Sequence, residues 1–202
     1  MSEKTHAAKG KAPVWQRWHF WAFLGFVLAL SYLTYFHRYW QPPYVFWDEN
    51  YHIASAQKYL HGVYFMEQHP PLGKLLVAAG EVLLHPNLKT DQFLGTDYGT
   101  DFGQGFSFAG YRFFSALLAW WTAGLLFLIF YFITRKNPLA ACLLCFLYVF
   151  DNALIVHLRG AMLEGPLLFF TSLVLLMFLV LWQMPQTEPG KIEPRTLHRK
   201  FL

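Results

Sequence analysis

The chain has 202 residues, of which 55% are hydrophobic, 20% aromatic and only 14% charged, against the roughly 25% charged residues of an ordinary soluble domain. Its apolar content falls in long blocks, which excludes a typical soluble domain and marks a membrane protein. The formal net charge of +4 is better explained by membrane topology than by nucleic-acid binding.

The first apolar block runs from Trp18 to Phe36. It exceeds a signal-peptide core and has no small-residue cleavage site after it, so it reads as a retained anchor. Residues 37–112 then form a long outer loop with two helical patterns. Ile53, Ala56, Leu60 and Val63 recur at helical spacing, with Gln57 and Lys58 elsewhere on the wheel. Leu72, Leu75, Leu76, Ala79, Val82 and Leu83 form a cleaner stripe, opposed by Lys74 and Glu81. Pro71 suits the first turn of that second helix. Both are too short to span, and are expected at the bilayer surface or packed on the bundle. Gly95, Gly99 and Gly103 open a tetrapeptide echo, read as a Gly-rich loop, with a cation or acceptor site at Asp97 and Asp101 as the alternative.

Three further spans follow, at Phe113–Thr134, Leu139–Val156 and Pro166–Trp182. Cys142 and Cys145 lie one helical turn apart among Leu and Phe, and read as buried apolar residues rather than ligands. Lys4, Lys9, Lys11 and Arg17 precede the first span, Arg135 and Lys136 join the second to the third, and Lys191, Arg195, Arg199 and Lys200 follow the fourth. The positive-inside rule puts these segments, and the N-terminus, in the cytoplasm. The expected organisation is a cytoplasmic tail at 1–17, a membrane domain at 18–183 and a second tail, or the start of further sequence, at 184–202.

Threading the spans brings Asp48, Glu49, Arg112, Asp151, Arg159 and Glu164 to one membrane face. Charges gathered there point to an outward-facing polar site between helices. Ion pairs such as Asp48–Arg112 or Asp151–Arg159, tying helix ends together, are the competing reading. A small transporter would place its charges nearer the midplane.

Four blocks carry a resemblance: WDENYHIASAQKYL from Trp47, HPPLGKLL from His69, YRFFSALL from Tyr111 and DNALIVHLRGAMLEGPLLFF from Asp151. In this order they resemble the protein O-mannosyltransferases, which are polyprenyl-phosphate-dependent membrane glycosyltransferases, over roughly Trp40 to Phe170. The run after the acid pair departs from the family's usual one. The resemblance implies an all-α membrane protein, GT-C-like, with about four transmembrane helices and interfacial helices in its first outer loop. It further implies an inverting transfer of mannose from a polyprenyl phosphate to Ser or Thr hydroxyls of an acceptor protein on the outer face. Asp48 would be the catalytic carboxylate and Glu49 would hold the acceptor or the site geometry. Arg159 would recognise phosphate by charge and fork geometry, and Arg112, His69 and Lys74 are further donor-phosphate candidates. His157 reads as packed. A metal requirement is unknown, with a divalent cation left open. Family members are several times longer, so the chain is expected to be an N-terminal part, a truncated relative or one half of a split enzyme. The alternatives are another sugar or a lipid acceptor, or a non-catalytic partner of a second transferase subunit. A bacterial plasma membrane is preferred over the endoplasmic reticulum.

Overall fold

A computed structural model of the chain describes residues 14–183. The basic clusters at Lys4, Lys9 and Lys11 and at Lys191, Arg195, Arg199 and Lys200 lie outside the described residues. Among the described residues the chain is all-α, without strands.

Helix α1 (Val14–Ser31) runs into a π-helical turn at Tyr32–Phe36, and the first span covers Trp18–Phe36. The turn widens the ladder, as the bond from His37 N–H to the Tyr32 carbonyl at 2.7 Å shows. The long loop between the first two spans supplies α2 (Glu49–Leu60) and α3 (Leu72–Leu84). Pro71 precedes α3 as its N-cap rather than occupying its first helical position.

The second span, α4 (Ala109–Ile133), begins a turn earlier than the apolar run at Phe113 suggests. Arg112 therefore sits inside its first turn, where a buried carboxylate neutralises it (below). The third span is not one helix: α5 (Pro138–Val149) and α6 (Asn152–Arg159) meet at 67°. Asp151 breaks the run by adopting an extended backbone and accepting the Leu154 N–H at 2.8 Å, which caps α6. The fourth span is α7 (Glu164–Trp182).

Helix α4 is the hub, packed against α1, α3, α5, α6 and α7. Its small residues Ala119 and Ala123 meet Cys142 and Cys145 in a buried inter-span core, the close approach expected where lipid gives helices no hydrophobic reason to associate. Both thiols are free and buried, as their Leu and Phe flanks predict. Two tyrosines cross this core with their hydroxyls satisfied: Tyr35 donates to the Tyr148 carbonyl at 2.5 Å and Tyr148 to that of Ala119 at 2.8 Å.

A second core lies under the long loop, where Ile53 and Ala56 of α2 meet Val77 and Ala78 of α3, Phe93, and Tyr111 of α4. Gly80 and Gly110 bring α3 against α4. A Cβ on Gly80 would strike the Gly110 carbonyl, and one on Gly110 would strike the Glu81 carboxylate.

Helix α3 is turned the opposite way from a surface helix of a soluble protein. Lys74 and Glu81 are buried, whereas Leu72, Leu75, Val82 and Leu83 face outward. An exposed apolar stripe suits contact with lipid, while the charges find partners inside. Glu81 accepts from the Asn87 N–H and side-chain amide at 3.2 and 3.0 Å, and Asn87 exchanges two 2.8 Å bonds with Ser107 at the approach to α4. Burial raises the Glu81 carboxyl above its ordinary range, against the pull of those Asn87 bonds.

Candidate functional site

The two adjacent acids have opposite fates. Asp48 is the N-cap of α2, yet its carboxylate makes no capping bond, and it stands exposed. It takes part in none of the ion pairs among the described residues. Glu49, one position on, is 0% exposed. Its Oε1 accepts from Arg112 Nε at 2.6 Å and from the Ala161 N–H at 2.7 Å, and its Oε2 accepts from Arg112 Nη2 at 2.7 Å and the Phe46 N–H at 3.1 Å.

The ion pair that ties the helix ends together thus uses Glu49, not Asp48. Glu49 has four donors around it and none to spare for a substrate, so it holds geometry. Arg112 is equally occupied: Nη1 donates to the Trp40 and Pro42 carbonyls at 3.0 and 2.7 Å, and Nη2 also donates to that of Tyr44 at 2.8 Å. With its bonds to Glu49, all five N–H groups of the guanidinium are used. Arg112 is thus engaged within the chain through every N–H of its fork.

Arg159 differs. At the end of α6 it donates through Nη1 to the Thr34 carbonyl at 3.0 Å and through Nη2 to those of His37 and Arg38 at 3.2 and 2.8 Å. These are carbonyls of the π turn and the residues just after it. Three of its five donors are thereby engaged, leaving Nε and one Nη1 hydrogen. Two cavities meet at Arg159. One, of about 580 Å³, is lined by Leu33, His37, Arg38, Trp40 and Gln41; the other, of about 570 Å³, is lined by Gln41, Pro42, Tyr44, Phe46, Arg112, Ile155, Val156 and Gly160. The second groove is a largely apolar trough with two arginines, Arg112 and Arg159, in its wall.

Lys74 and His69, the other phosphate candidates, belong to a different cluster. The Lys74 ammonium is fully buried, 2.7 Å from Glu67 Oε1, 3.2 Å from Ser55 Oγ and 3.6 Å from the centre of the Tyr51 ring. Burial lowers its pKa, while Glu67 pulls it back up. Burial alone would raise the Glu67 carboxyl, but the Lys74 ammonium and the His69 backbone amide hold it below the ordinary range. Lys74 is thus a buried cation paired inside the fold with Glu67 and Ser55. His69 is exposed, with Nδ1 3.6 Å from Glu67 and its ring 6.2 Å from that of His52.

His52 and Glu67 were not singled out from the sequence. His52 is four residues after Asp48, one turn along α2, and buried. Its pKa is lowered to about 4, first by burial and then by Lys74 and His69, with Asp48 and Glu67 opposing. Helical spacing from Asp48 was the signal that could have found it. Glu67 lies between α2 and α3, where no periodicity flags a residue.

Asp97 pairs with Lys58 at 2.7 Å and Asp101 accepts the Gly103 N–H at 2.9 Å. They serve the loop. Among the described residues no three His, Cys, Asp or Glu side chains are grouped to hold a metal ion. His157 packs edge-on against Phe46 and Trp47, at ring distances of 5.7 and 6.2 Å, as a packed histidine should.

The fold and site together define a multi-pass helical membrane protein with an unpaired carboxylate and a partly free arginine at one end of its spans. Residues 25–193 match the family described as dolichyl-phosphate-mannose-protein mannosyltransferase, and the chain belongs to that family. It is 28% identical over 153 residues to protein O-mannosyl-transferase 2 of Drosophila pseudoobscura pseudoobscura, covering 76% of this chain and 20% of that protein. It is 30% identical over 149 residues to protein O-mannosyltransferase 1 of the same fly, covering 73% and 16%. A dolichyl-phosphate-mannose–protein mannosyltransferase 1 of Candida albicans is 28% identical over 152 residues, covering 74% and 16%. The chain thus spans a fifth or less of the length of these relatives. No solved structure matches it.

Proposed function

We propose that this chain carries the acceptor-activating edge of a membrane mannosyltransferase that moves mannose from a polyprenyl phosphate to Ser or Thr hydroxyls of proteins. The names of its relatives support the donor and acceptor. The observation that carries the chemistry is the contrast between Asp48, exposed and unpaired, and Glu49, buried and fully bonded.

A hydroxyl attacks well only as a base removes its proton, and Asp48 is the free base at this face. In the proposed step the acceptor oxygen forms a bond to the anomeric carbon as the bond from that carbon to the phosphate oxygen breaks. The hydroxyl proton passes to Asp48, and the bonding pair leaves with the lipid phosphate. Attack opposite the leaving group inverts the anomeric centre. The two unused donors of Arg159 meet the charge that develops on the phosphate, and the apolar walls of its groove suit the lipid.

The site lies at the outer ends of the spans if the basic connection at Arg135 and Lys136 is cytoplasmic. The named relatives are eukaryotic and lend no support to a bacterial plasma membrane. Glycosyl transfer in membranes from labelled polyprenyl-phosphate mannose to a Ser/Thr-rich peptide tests the proposal. Asp48→Asn should reduce transfer about 10²- to 10⁴-fold, the usual worth of a general base, with the thermal midpoint unchanged. Undiminished transfer by Asp48→Asn would sink it.

A further inference from the structure

The residue that precedes the unpaired carboxylate is an exposed tryptophan held in an unfavourable backbone conformation. Trp47 has φ 50°, in the left-handed region that an L residue with a bulky side chain rarely adopts. A glycine or asparagine would relax the turn between Phe46 and α2. The indole has two ring neighbours, Phe46 at 6.3 Å and His157 at 6.2 Å between ring centres. His157 in turn meets Phe46 edge-on at 5.7 Å, with its Nδ1 4.0 Å from Glu164. Despite these neighbours, Trp47 remains 68% exposed.

Phe46 lines the groove that Arg159 closes. Trp47 and Asp48 follow Phe46 directly in the chain, so the exposed indole and the free carboxylate adjoin a residue of that groove. Strained backbone tends to persist where a side chain is needed in one place, and here that place adjoins the unpaired carboxylate and Phe46 of the arginine-lined groove.

We infer that Trp47 is the platform on which the hexosyl ring of a lipid-phosphate-linked sugar stacks beside Asp48. The inference rests on the proposed function for its ligand class. A pyranose has one face of C–H bonds, and a flat, electron-rich ring covers that face by dispersion and weak C–H contacts while the sugar's hydroxyls stay hydrated. Stacking fixes the plane of the sugar, and so the direction in which its anomeric carbon meets the acceptor oxygen. The competing role for an exposed tryptophan in a membrane protein is an interfacial anchor. Such an anchor serves any lipid alike and gains nothing from a position beside the base.

The test compares two probes, polyprenyl-phosphate mannose and bare polyprenyl phosphate, binding to the full chain in lipid nanodiscs. Trp47→Ala should weaken the sugar-bearing lipid about fivefold to tenfold, the worth of one aromatic contact, and leave the bare lipid unchanged. Trp47→Phe should keep most of the affinity for the sugar-bearing lipid, and its thermal midpoint guards against misfolding. His157→Ala, which removes one ring neighbour of Trp47, should fall between them. Equal losses for both lipids would make Trp47 an anchor and overturn the inference, as would unchanged binding of both. In either case the role of Asp48 stands if Asp48→Asn still removes transfer. A wild-type chain that binds neither lipid would overturn the inference and the proposed donor together.

Discussion

Glu49 and Arg112 face each other fork to fork, with Nε–Oε1 at 2.6 Å and Nη2–Oε2 at 2.7 Å, both side chains almost wholly removed from solvent. The pair joins the start of α2 to the start of α4. Through the Ala161 N–H it also reaches the segment that follows Arg159. One carboxylate thus fixes the spacing between the proposed base and the proposed phosphate-binding arginine.

Removing either partner leaves the other charged and buried. Glu49→Ala or Arg112→Ala should each destabilise the protein by about 3–5 kcal/mol, read as a lower thermal midpoint in detergent. The double change Glu49→Leu with Arg112→Met should recover much of that loss, because no lone charge remains. If Glu49→Ala melts like wild type, the carboxylate is not the tie described here.

Arg159 tests fork geometry against charge. Its Nη1 and Nη2 hold three carbonyls of the chain that leaves the first span; a lysine has three donors on one nitrogen, so bonding the same carbonyls would leave it none for a phosphate. Arg159→Lys should therefore lose about as much transfer as Arg159→Ala, on the order of 10²-fold for a donor aimed at developing charge. Transfer assays with titrated donor lipid check this. Full activity in the lysine variant would reduce Arg159 to a point charge.

The pH dependence follows from His52. Its folded pKa of about 4 lies below the ordinary 6.5, so folding favours the neutral ring. The unfolded chain binds the proton first as the solution is acidified, and stability falls as pH drops from about 6.5 towards 4, by up to about 3 kcal/mol. The groups facing the ring are Lys74 and His69, which oppose its protonation, and Asp48 and Glu67, which favour it. His52→Gln should flatten the thermal midpoint across that window. An equally steep acid dependence in the variant would assign it to another group.

Close packing of α3 on α4 gives a steric prediction. Gly110→Leu must displace Glu81, whose carboxylate occupies that space, and overpacking of this kind typically costs about 1–3 kcal/mol. Gly25, which has open space around it, should accept the same change with little effect on the thermal midpoint.

The spans were legible in the sequence because lipid demands unbroken apolar runs, and α1, α4 and α7 follow those runs to within a few residues. The 67° break before α6 was signalled by Asp151 and Asn152, but a hydropathy window averages two polar residues away. The acid pair was legible as a pair and not as two roles. Neighbours on a helix differ by about 100° in direction, and only the packed position of Arg112 decides which acid is turned inward. Charge on one face of α3 was equally plain, but a helical wheel cannot say which face is inside when the outside is hydrocarbon. Arg112 and Lys74 looked available because sequence shows a cation and not the carbonyls and carboxylates that consume its donors.

The outward stripe on α3 has a consequence for where chemistry can happen. Helix α2, which carries Asp48 at its tip, rests on α3. The exposed Leu72, Leu75, Val82 and Leu83 suit a helix held at one depth in a bilayer surface, as a keel is. The reacting end of a lipid-borne sugar floats at a depth of its own, set by its tail. For the proposed lipid-linked donor, held at such a depth, a helix anchored in this way would turn the encounter into a search in two dimensions instead of three.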